Sequence, residues 1–187
     1  DLTAFGFDPR QHMPAHAAWQ ISNFIMRQLP NEPAQGQLAW DTVVYGSTSL
    51  GFVNANHQLL QQDARGSASV LTAYHAYAGE SPQSVRARLL QQNTDDLFKI
   101  AAQDLNAVYG KSWLDAVERV EITLRGHAMA SPSVGFLHNQ GLANLRAQNQ
   151  RILFAHSDLS GFSIFEEATW WGEQAANRII DTENRRK

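Results

Sequence analysis

A short polar turn separates an apolar run from a long amphipathic stretch near the end of the chain. The apolar run 151–155 predicts a strand, residues 156–158 open the turn, and a helix is predicted over 163–180. Such a unit points unpaired backbone N–H groups and the positive end of the helix at whatever lies in front of it. The pattern predicts a binding site for an anion or a polarised ring. The alternative is a last helix that only docks on a sheet.

Small residues recur along one face of this predicted helix, at helical spacing. They are Ala168, Gly172, Ala175 and Ala176, with Ile179 at the end of the row. Because small side chains let another element or a flat ligand come close, this face is the predicted contact surface of the helix.

Histidines are the next candidates for chemistry. His12 and His16 have the i, i+4 spacing of helical zinc ligands, but Pro14 lies between them and no acidic residue completes a ligand set, so no metal site is predicted. His57 is read equally well as a polar turn residue or as a group facing a pocket. His127 follows an alternating strand and is the candidate catalytic residue, although bonding to neighbouring backbone carbonyl groups also explains it.

Aromatic residues could line an apolar pocket. Trp40, Tyr45 and Trp170 are the candidate substrate-pocket residues, and Trp171 is adjacent to the last of them. Rings of this kind exclude water around a substrate. The alternative is ordinary packing, which is what most Trp and Tyr side chains do.

The order of elements predicts a mixed α and β architecture. Residues 1–37 are rich in proline and are interpreted as an arm, with a helical turn or two between Ala17 and Leu29. Strands are predicted over 38–45, after Gly46, over 67–79 and over 118–126, and a loop over 126–141. Ser81-Pro82 and Thr94 mark helix starts, and Gly110 marks a helix end.

Composition excludes several classes of function. A net charge of -3 over 187 residues, without a basic stripe, argues against a nucleic-acid partner. The apolar runs are much shorter than the roughly 20 residues of a membrane span. There is no cysteine, hence no disulfide or thiolate metal site, and a bacterial cytoplasmic or periplasmic location stays open.

The stretch "FAHSDLSGFSIFEEATWWGEQAA" resembles the C-terminal flavin-binding signature of amine-oxidase-type FAD oxidoreductases. In that signature an F-A-G-D/E turn precedes a helix with small residues, and here His156 stands where the family has glycine. "PAHAAWQISNFIMRQLP", "LAWDTVVYGSTSLGFVNANHQ" and "RGHAMASPSVGF" resemble a bacterial subgroup akin to spermidine-dehydrogenase-like enzymes. The resemblance implies FAD as cofactor, held by Ala155, His156, Ser157, Asp158, Ser163, Ile164, Phe165 and Ala168.

The Gly-rich turn G-x-G-x-x-G that holds a dinucleotide pyrophosphate does not occur in this sequence. The resemblance therefore implies the C-terminal portion of a two-domain, Rossmann-like FAD/NAD(P)-binding flavoprotein, or one subunit of a split one. An N-terminal FAD-binding half or a partner subunit would carry the Gly-rich motif.

The resemblance also implies how the chain divides. Residues 1–37 would be a connector, 38–150 a portion of the substrate domain, and 151–187 the last strand and helix of the FAD domain. The implied function is oxidation of an amine-type substrate by hydride transfer to FAD, with backbone N–H groups of Ile164 and Phe165 at the ring. The alternative is a non-catalytic fragment or subunit that binds no cofactor by itself.

Overall fold

The computed structural model describes residues 1–30, 39–55, 68–149 and 151–185. The strands are β1 Ala15–Met26, β2 Asp41–Thr42, β3 Phe52–Asn54, β4 Ser69–Ala76 and β5 Val117–Ser131. The α-helices are α1 Pro9–His12, α2 Pro82–Leu89, α3 Thr94–Ala101, α4 Gln103–Tyr109, α5 Gln140–Arg146 and α6 Phe165–Asn184. Short 3-10 helices cover Leu2–Phe5, Ser112–Ala116, Phe136–His138 and Ser157–Leu159. The mixed α and β class expected from the sequence is confirmed.

The chain divides into two compact units. The sheet unit is Ala17–Ala128, and the terminal unit combines Asp1–His16 with Met129–Lys187. β1 and β5 each contribute residues to both units. This division differs from boundaries at 37 and 150, so the assignment of 38–150 to a substrate domain and of 151–187 to a FAD domain stays a prediction.

The sheet has the strand order β2-β3-β4-β1-β5. β4 pairs antiparallel with β1, from Trp19 opposite Ala76 to Met26 opposite Ser69, and β3 pairs antiparallel with both β2 and β4. Buried and half-buried positions alternate along β1 from Ala18 to Met26 because successive side chains of a strand point to opposite faces.

One face of the sheet is covered by helices. Phe24, Met26 and Leu71 from the strands pack there with Leu105 of α4 and Trp113. A satellite cluster joins Ala18 and Tyr77 to Val85 and Leu89 of α2. Fully burying such a side chain contributes about 1.5–3 kcal/mol relative to exposure, so these contacts are what hold the helices on the sheet.

Side-chain caps explain where the helices of the sheet unit begin. Ser81 accepts a hydrogen bond from the Ser84 N–H group at the start of α2, with Pro82 in the first turn. Asn93 caps α3 by accepting from the Asp96 N–H group. Both starts confirm the sequence prediction, as does Gly110, which ends α4 at a positive φ of 70°.

A smaller apolar cluster forms the core of the terminal unit: Phe7, Phe136, Leu142, Leu145, Leu159 and Trp171. Phe5 packs edge to face on Phe154, with ring centroids 5.2 Å apart. Gly161 lies at a φ of 75°, and a Cβ atom there would come within 2.7 Å of the Phe136 ring. Only glycine therefore fits this turn.

Three segments differ from the sequence predictions. The helical turn expected between Ala17 and Leu29 is wrong, since β1 occupies this segment. The loop expected over 126–141 is also wrong, because β5 continues to Ser131 and α5 begins at Gln140. Residues 151–156 contain neither helix nor strand, where the last strand is predicted, because none of the described segments forms a ladder with them.

None of the helices in the described ranges is both long enough and apolar enough to cross a membrane.

Candidate cofactor site

The turn that leads to α6 is built by local hydrogen bonds. His156 precedes the 3-10 helix Ser157–Leu159, and its Nδ1 atom accepts from the Asp158 N–H group at 3.1 Å. Because Nδ1 accepts that bond, it does not donate to the Asp158 carboxylate, which lies 3.5 Å away. His156 therefore acts as the cap of this helical turn through its Nδ1 atom.

Asp158 is held by a residue far away in the sequence. Its Oδ2 atom lies 2.8 Å from Nε2 of His16, and both side chains are largely buried. His16 and Asp158 are separated by 142 positions, and no spacing signal relates them. His16, which the sequence indicated only as an unlikely metal ligand, thus fixes the turn in front of α6.

The N-terminus of α6 is not capped by a side chain. Ile164 is the N-cap, and its own N–H group donates to the Phe162 carbonyl at 2.9 Å. The first-turn N–H groups, from Phe165 onward, have no acceptor within the helix. Of the two N–H groups predicted to face a ligand, only that of Phe165 is open in this way, because the N–H group of Ile164 is already bonded.

The surface around this helix end is apolar. Phe162, Ile164 and Phe165 are exposed, the last with 80% of its surface accessible. Ser163 points elsewhere, because its hydroxyl accepts from the Ala130 N–H group at 2.8 Å. Exposed aromatic and aliphatic side chains beside open N–H donors form a surface suited to a partly apolar, polarised group.

α6 presents two different faces. On the buried face, Trp171 donates to the Ser160 hydroxyl at 3.1 Å, and the same hydroxyl donates to Glu167. Arg178 donates to the backbone carbonyl groups of Arg146, the last residue of α5, and of Gln148. Ala168 is exposed, and a Cβ atom at Gly172 would meet nothing within 4 Å. The predicted small face therefore points away from the core of the terminal unit.

Each of the two units has a surface cavity. One of about 670 Å³ is lined by Arg151, Leu153, Arg178 and Thr182 toward the end of α6. Another of about 540 Å³ in the sheet unit is lined by Arg27, Tyr109 and Trp113. Neither of these two cavities is lined by any of residues 155–168. Ala155 is exposed in the segment 151–156, which contains neither helix nor strand.

The predicted pocket residues fall in two different units of the chain. Trp40 is 59% exposed and Tyr45 is fully exposed, both in the sheet unit. Trp170 is half exposed on α6 and packs on Trp171 at a centroid distance of 4.5 Å. His127 is exposed on β5. The substrate-pocket role of Trp40, Tyr45 and Trp170 and the catalytic role of His127 stay predictions. His57 lies outside the described residues.

The sheet face opposite the helices was missed by sequence reasoning. Trp19, Ile21, Asn23 and Ile25 of β1 lie there beside Tyr74 and Thr72 of β4, all half-buried. Burial, and secondarily the Asp41 carboxylate, raises the pKa of Tyr74 above its ordinary value. In the sequence, apolar and polar residues alternate only from Trp19 to Ser22, and the polar Gln20 and Ser22 occupy buried positions, so the segment did not indicate a strand.

A polar cluster lies between the sheet and α4. Nδ1 of His75 bonds the Ser49 hydroxyl at 2.9 Å, and the Ser47 hydroxyl bonds the Asp104 carboxylate. Asp104 is 2% exposed, and its Oδ2 atom has no hydrogen-bond partner among the described residues. Because Asp104 bonds Ser47, these groups do not form the Ser–His–Asp chain of a hydrolase.

We expect His75 to make the stability of the sheet unit depend on pH. Burial, reinforced by Arg88 and opposed by Asp104, lowers the pKa of His75 below its ordinary value of 6.5. The unfolded chain then binds a proton that the folded chain excludes, so stability is complete above pH 6.5 and falls as the pH drops toward the lowered pKa. Urea unfolding followed by circular dichroism over this range measures the effect.

His75→Asn should reduce this pH dependence, whereas His127→Gln, on an exposed position of the same unit, should leave it intact. A flat profile in the unsubstituted protein would show that His75 is not excluded from protonation.

The described residues contain no group of three or more His, Cys, Asp or Glu side chains that could hold a metal ion.

Comparisons with known proteins found a similar fold in a solved structure. No family model matches the sequence, and no curated protein matches it. Among solved structures, the chain is similar to a protein from Exiguobacterium sp. 255-15 provisionally assigned as a protoporphyrinogen oxidase, with a TM-score of 0.55 and 15% sequence identity. The likeness covers 90% of this chain and 37% of that one. The chain therefore shares its fold with a part of that larger protein.

Proposed function

We propose that this chain is the C-terminal portion, or one subunit, of a FAD-dependent oxidoreductase that oxidises an amine-type substrate. The observation that carries the proposal is the N-terminus of α6, where open backbone N–H groups are surrounded by exposed Phe162, Ile164 and Phe165. The shared fold with part of a protein assigned as an oxidase supports it. So does the resemblance of residues 154–176 to a flavin-binding signature.

The charges at this helix end select between the two parts of FAD. Glu166 and Glu167 lie in the first turn of α6. Carboxylates there compete with any anion for the positive end of the helix, which makes the site unfavourable for a pyrophosphate. A neutral, flat ring with an electron-rich edge fits better, since the edge can accept from N–H groups while the ring contacts apolar side chains.

Each residue then has a defined part in binding. The backbone N–H groups of Phe165 and Glu166 would donate to the ring edge, and Phe162 would cover apolar surface. Asp158, held by His16, would keep the turn in place. When bound, FAD supplies the hydride acceptor, and the protein supplies orientation and electrostatics.

An amine-type substrate is the finer part of the proposal. It is supported by the resemblance to amine-oxidase-type enzymes and by the exposed apolar side chains of Phe162, Ile164 and Phe165 at the start of α6. An aromatic, mostly apolar surface favours the neutral form of an amine, which is the form that can lose hydride from the carbon next to nitrogen.

The second candidate is a non-catalytic fragment or subunit that binds no cofactor by itself. The absence of a Gly-rich turn from the sequence favours it for the chain alone. In the first candidate another polypeptide segment completes the dinucleotide site, in agreement with the 37% coverage of the similar structure, whereas in the second the chain keeps the fold and binds no cofactor by itself.

Phe165→Pro tests the proposed contact of α6 with the ring. The variant removes one N–H donor, and because proline is tolerated at the first helical position and Ile164 is already extended (φ -123°, ψ 158°), the helix should survive. The positive end of a helix stabilises the electron-rich edge of the reduced flavin by about 0.3–2 kcal/mol. Loss of this stabilisation corresponds to a fall on the order of 10–40 mV in the two-electron potential. Redox titration of the flavin-loaded assembly measures it.

Phe165→Ala is the matched control, because it removes the same side chain and keeps the N–H group. Its potential should stay close to that of the unsubstituted protein. Equal potentials in all three folded, flavin-loaded proteins would show that the N-terminus of α6 does not face the ring.

A further inference from the structure

β5 lies at one end of the sheet. In the described part of the chain its neighbour is β1, on one side. An edge strand carries a row of backbone N–H and C=O groups that can pair with a further strand. The other end of the sheet is β2, which has two residues, so β5 provides by far the longer edge.

The side chains of β5 are arranged symmetrically about Thr123. Val120 and Ile122 point to the core face, whereas Glu121 and Arg125 are exposed. Read outward from Thr123, the sequence has Ile122 and Leu124 on either side, then Glu121 and Arg125. Thr123 is therefore flanked by two apolar residues, with a carboxylate directly before them and a guanidinium directly after them.

We propose that β5 pairs antiparallel with β5 of a second copy of this chain, about a two-fold axis at Thr123. In an antiparallel pair centred on one residue, positions equally distant from the centre face each other. Glu121 of each copy then lies opposite Arg125 of the other, and Ile122 lies opposite Leu124. Opposite charges directly across a strand pair stabilise it, and like charges destabilise it.

Two exposed groups become partnered in this arrangement. Leu124 is 37% exposed although it lies on the face that carries Val120 and Ile122, and the second copy would cover it. Arg125 would gain a carboxylate. Glu121 now contacts Arg119 of the same strand at 2.8 Å, with both side chains mostly exposed, and such a pair contributes little and can be exchanged.

The proposed strand pairing ends before Gly126. The carbonyl oxygen of Gly126 accepts from Arg86 of α2 at 3.1 Å. Residues 121–125 lie before this contact and form the proposed interface.

A competing explanation is that Glu121 and Arg125 keep the edge of the sheet solvated and prevent it from pairing with other chains, as charges on edge strands often do. In that case the chain is monomeric.

Charge exchange between the two positions tests the pairing. Glu121→Arg brings a second guanidinium opposite Arg125, and Arg125→Glu brings a second carboxylate opposite Glu121, each twice per dimer. We expect either variant alone to weaken self-association by roughly tenfold or more. Sedimentation velocity and light scattering measure the mass, and circular dichroism confirms the fold.

Mixing the two variants is the decisive arm, because every facing pair is then of opposite charge and a heterodimer should form. The double variant Glu121→Arg with Arg125→Glu should likewise recover the dimer. The proposal is overturned if the unsubstituted chain is monomeric, if a single variant associates as strongly as the unsubstituted chain, or if the mixture stays monomeric.

Discussion

Trp113→Ala is expected to lower the free energy of unfolding of the sheet unit by about 3–5 kcal/mol. Trp113 is 1% exposed and packs edge to face on Phe24, with ring centroids 5.0 Å apart. Its Nε1 atom donates to Oδ1 of Asn106 at 2.9 Å. Truncation removes the ring from the main core and leaves a cavity, and Asn106 loses its donor.

Trp40→Ala is the matched control in the same unit, because it truncates the same residue type where 59% of the surface is already exposed. We expect it to change stability by about 0.5 kcal/mol or less. Urea denaturation followed by circular dichroism compares the two. Equal losses of stability would contradict the placement of Trp113 as the centre of this core.

Helix starts in the sheet unit were predictable because their signals are local. Ser81 followed by Pro82, and Asn93 before Thr94, cap their helices within three residues. Gly110 ends α4 for a similarly local reason. Features that depend on a few neighbouring residues can be inferred from one sequence.

β1 could not be predicted by pattern, since its buried positions include polar residues. Gln20 and Ser22 are satisfied by each other and by distant groups, including the Tyr77 hydroxyl and the Leu97 carbonyl. These partners come together only in the folded chain. Without knowledge of these partners, polar residues at the positions that face the core do not fit the apolar pattern of a buried strand.

The candidate site was predictable in outline only. The turn and the helix after it follow from polar residues and helical spacing, but which face of α6 is buried does not. Adjacent tryptophans illustrate this, because Trp171 is buried and Trp170 is half exposed. The bond from His16 to Asp158 joins opposite ends of the sequence and leaves no trace in spacing.

FAD binding is the second large effect, and it should require more than this chain. The α6 end offers donors for a ring edge, whereas Glu166 and Glu167 make it unfavourable for phosphate. A Gly-rich turn ordinarily holds the pyrophosphate through charge-assisted hydrogen bonds of about 1.5–3 kcal/mol each. Without two such bonds, affinity should fall by roughly two to four orders of magnitude.

Retention of FAD through gel filtration, read by visible absorbance, tests the central claim most directly. The chain alone is incubated with FAD, beside an assembly in which a segment with the Gly-rich turn accompanies it in the same polypeptide or as a partner subunit. We predict that the assembly elutes yellow with stoichiometric flavin and that the chain alone elutes colourless. Tight, stoichiometric flavin on the chain alone, or a folded assembly that cannot be loaded with FAD, would contradict the account.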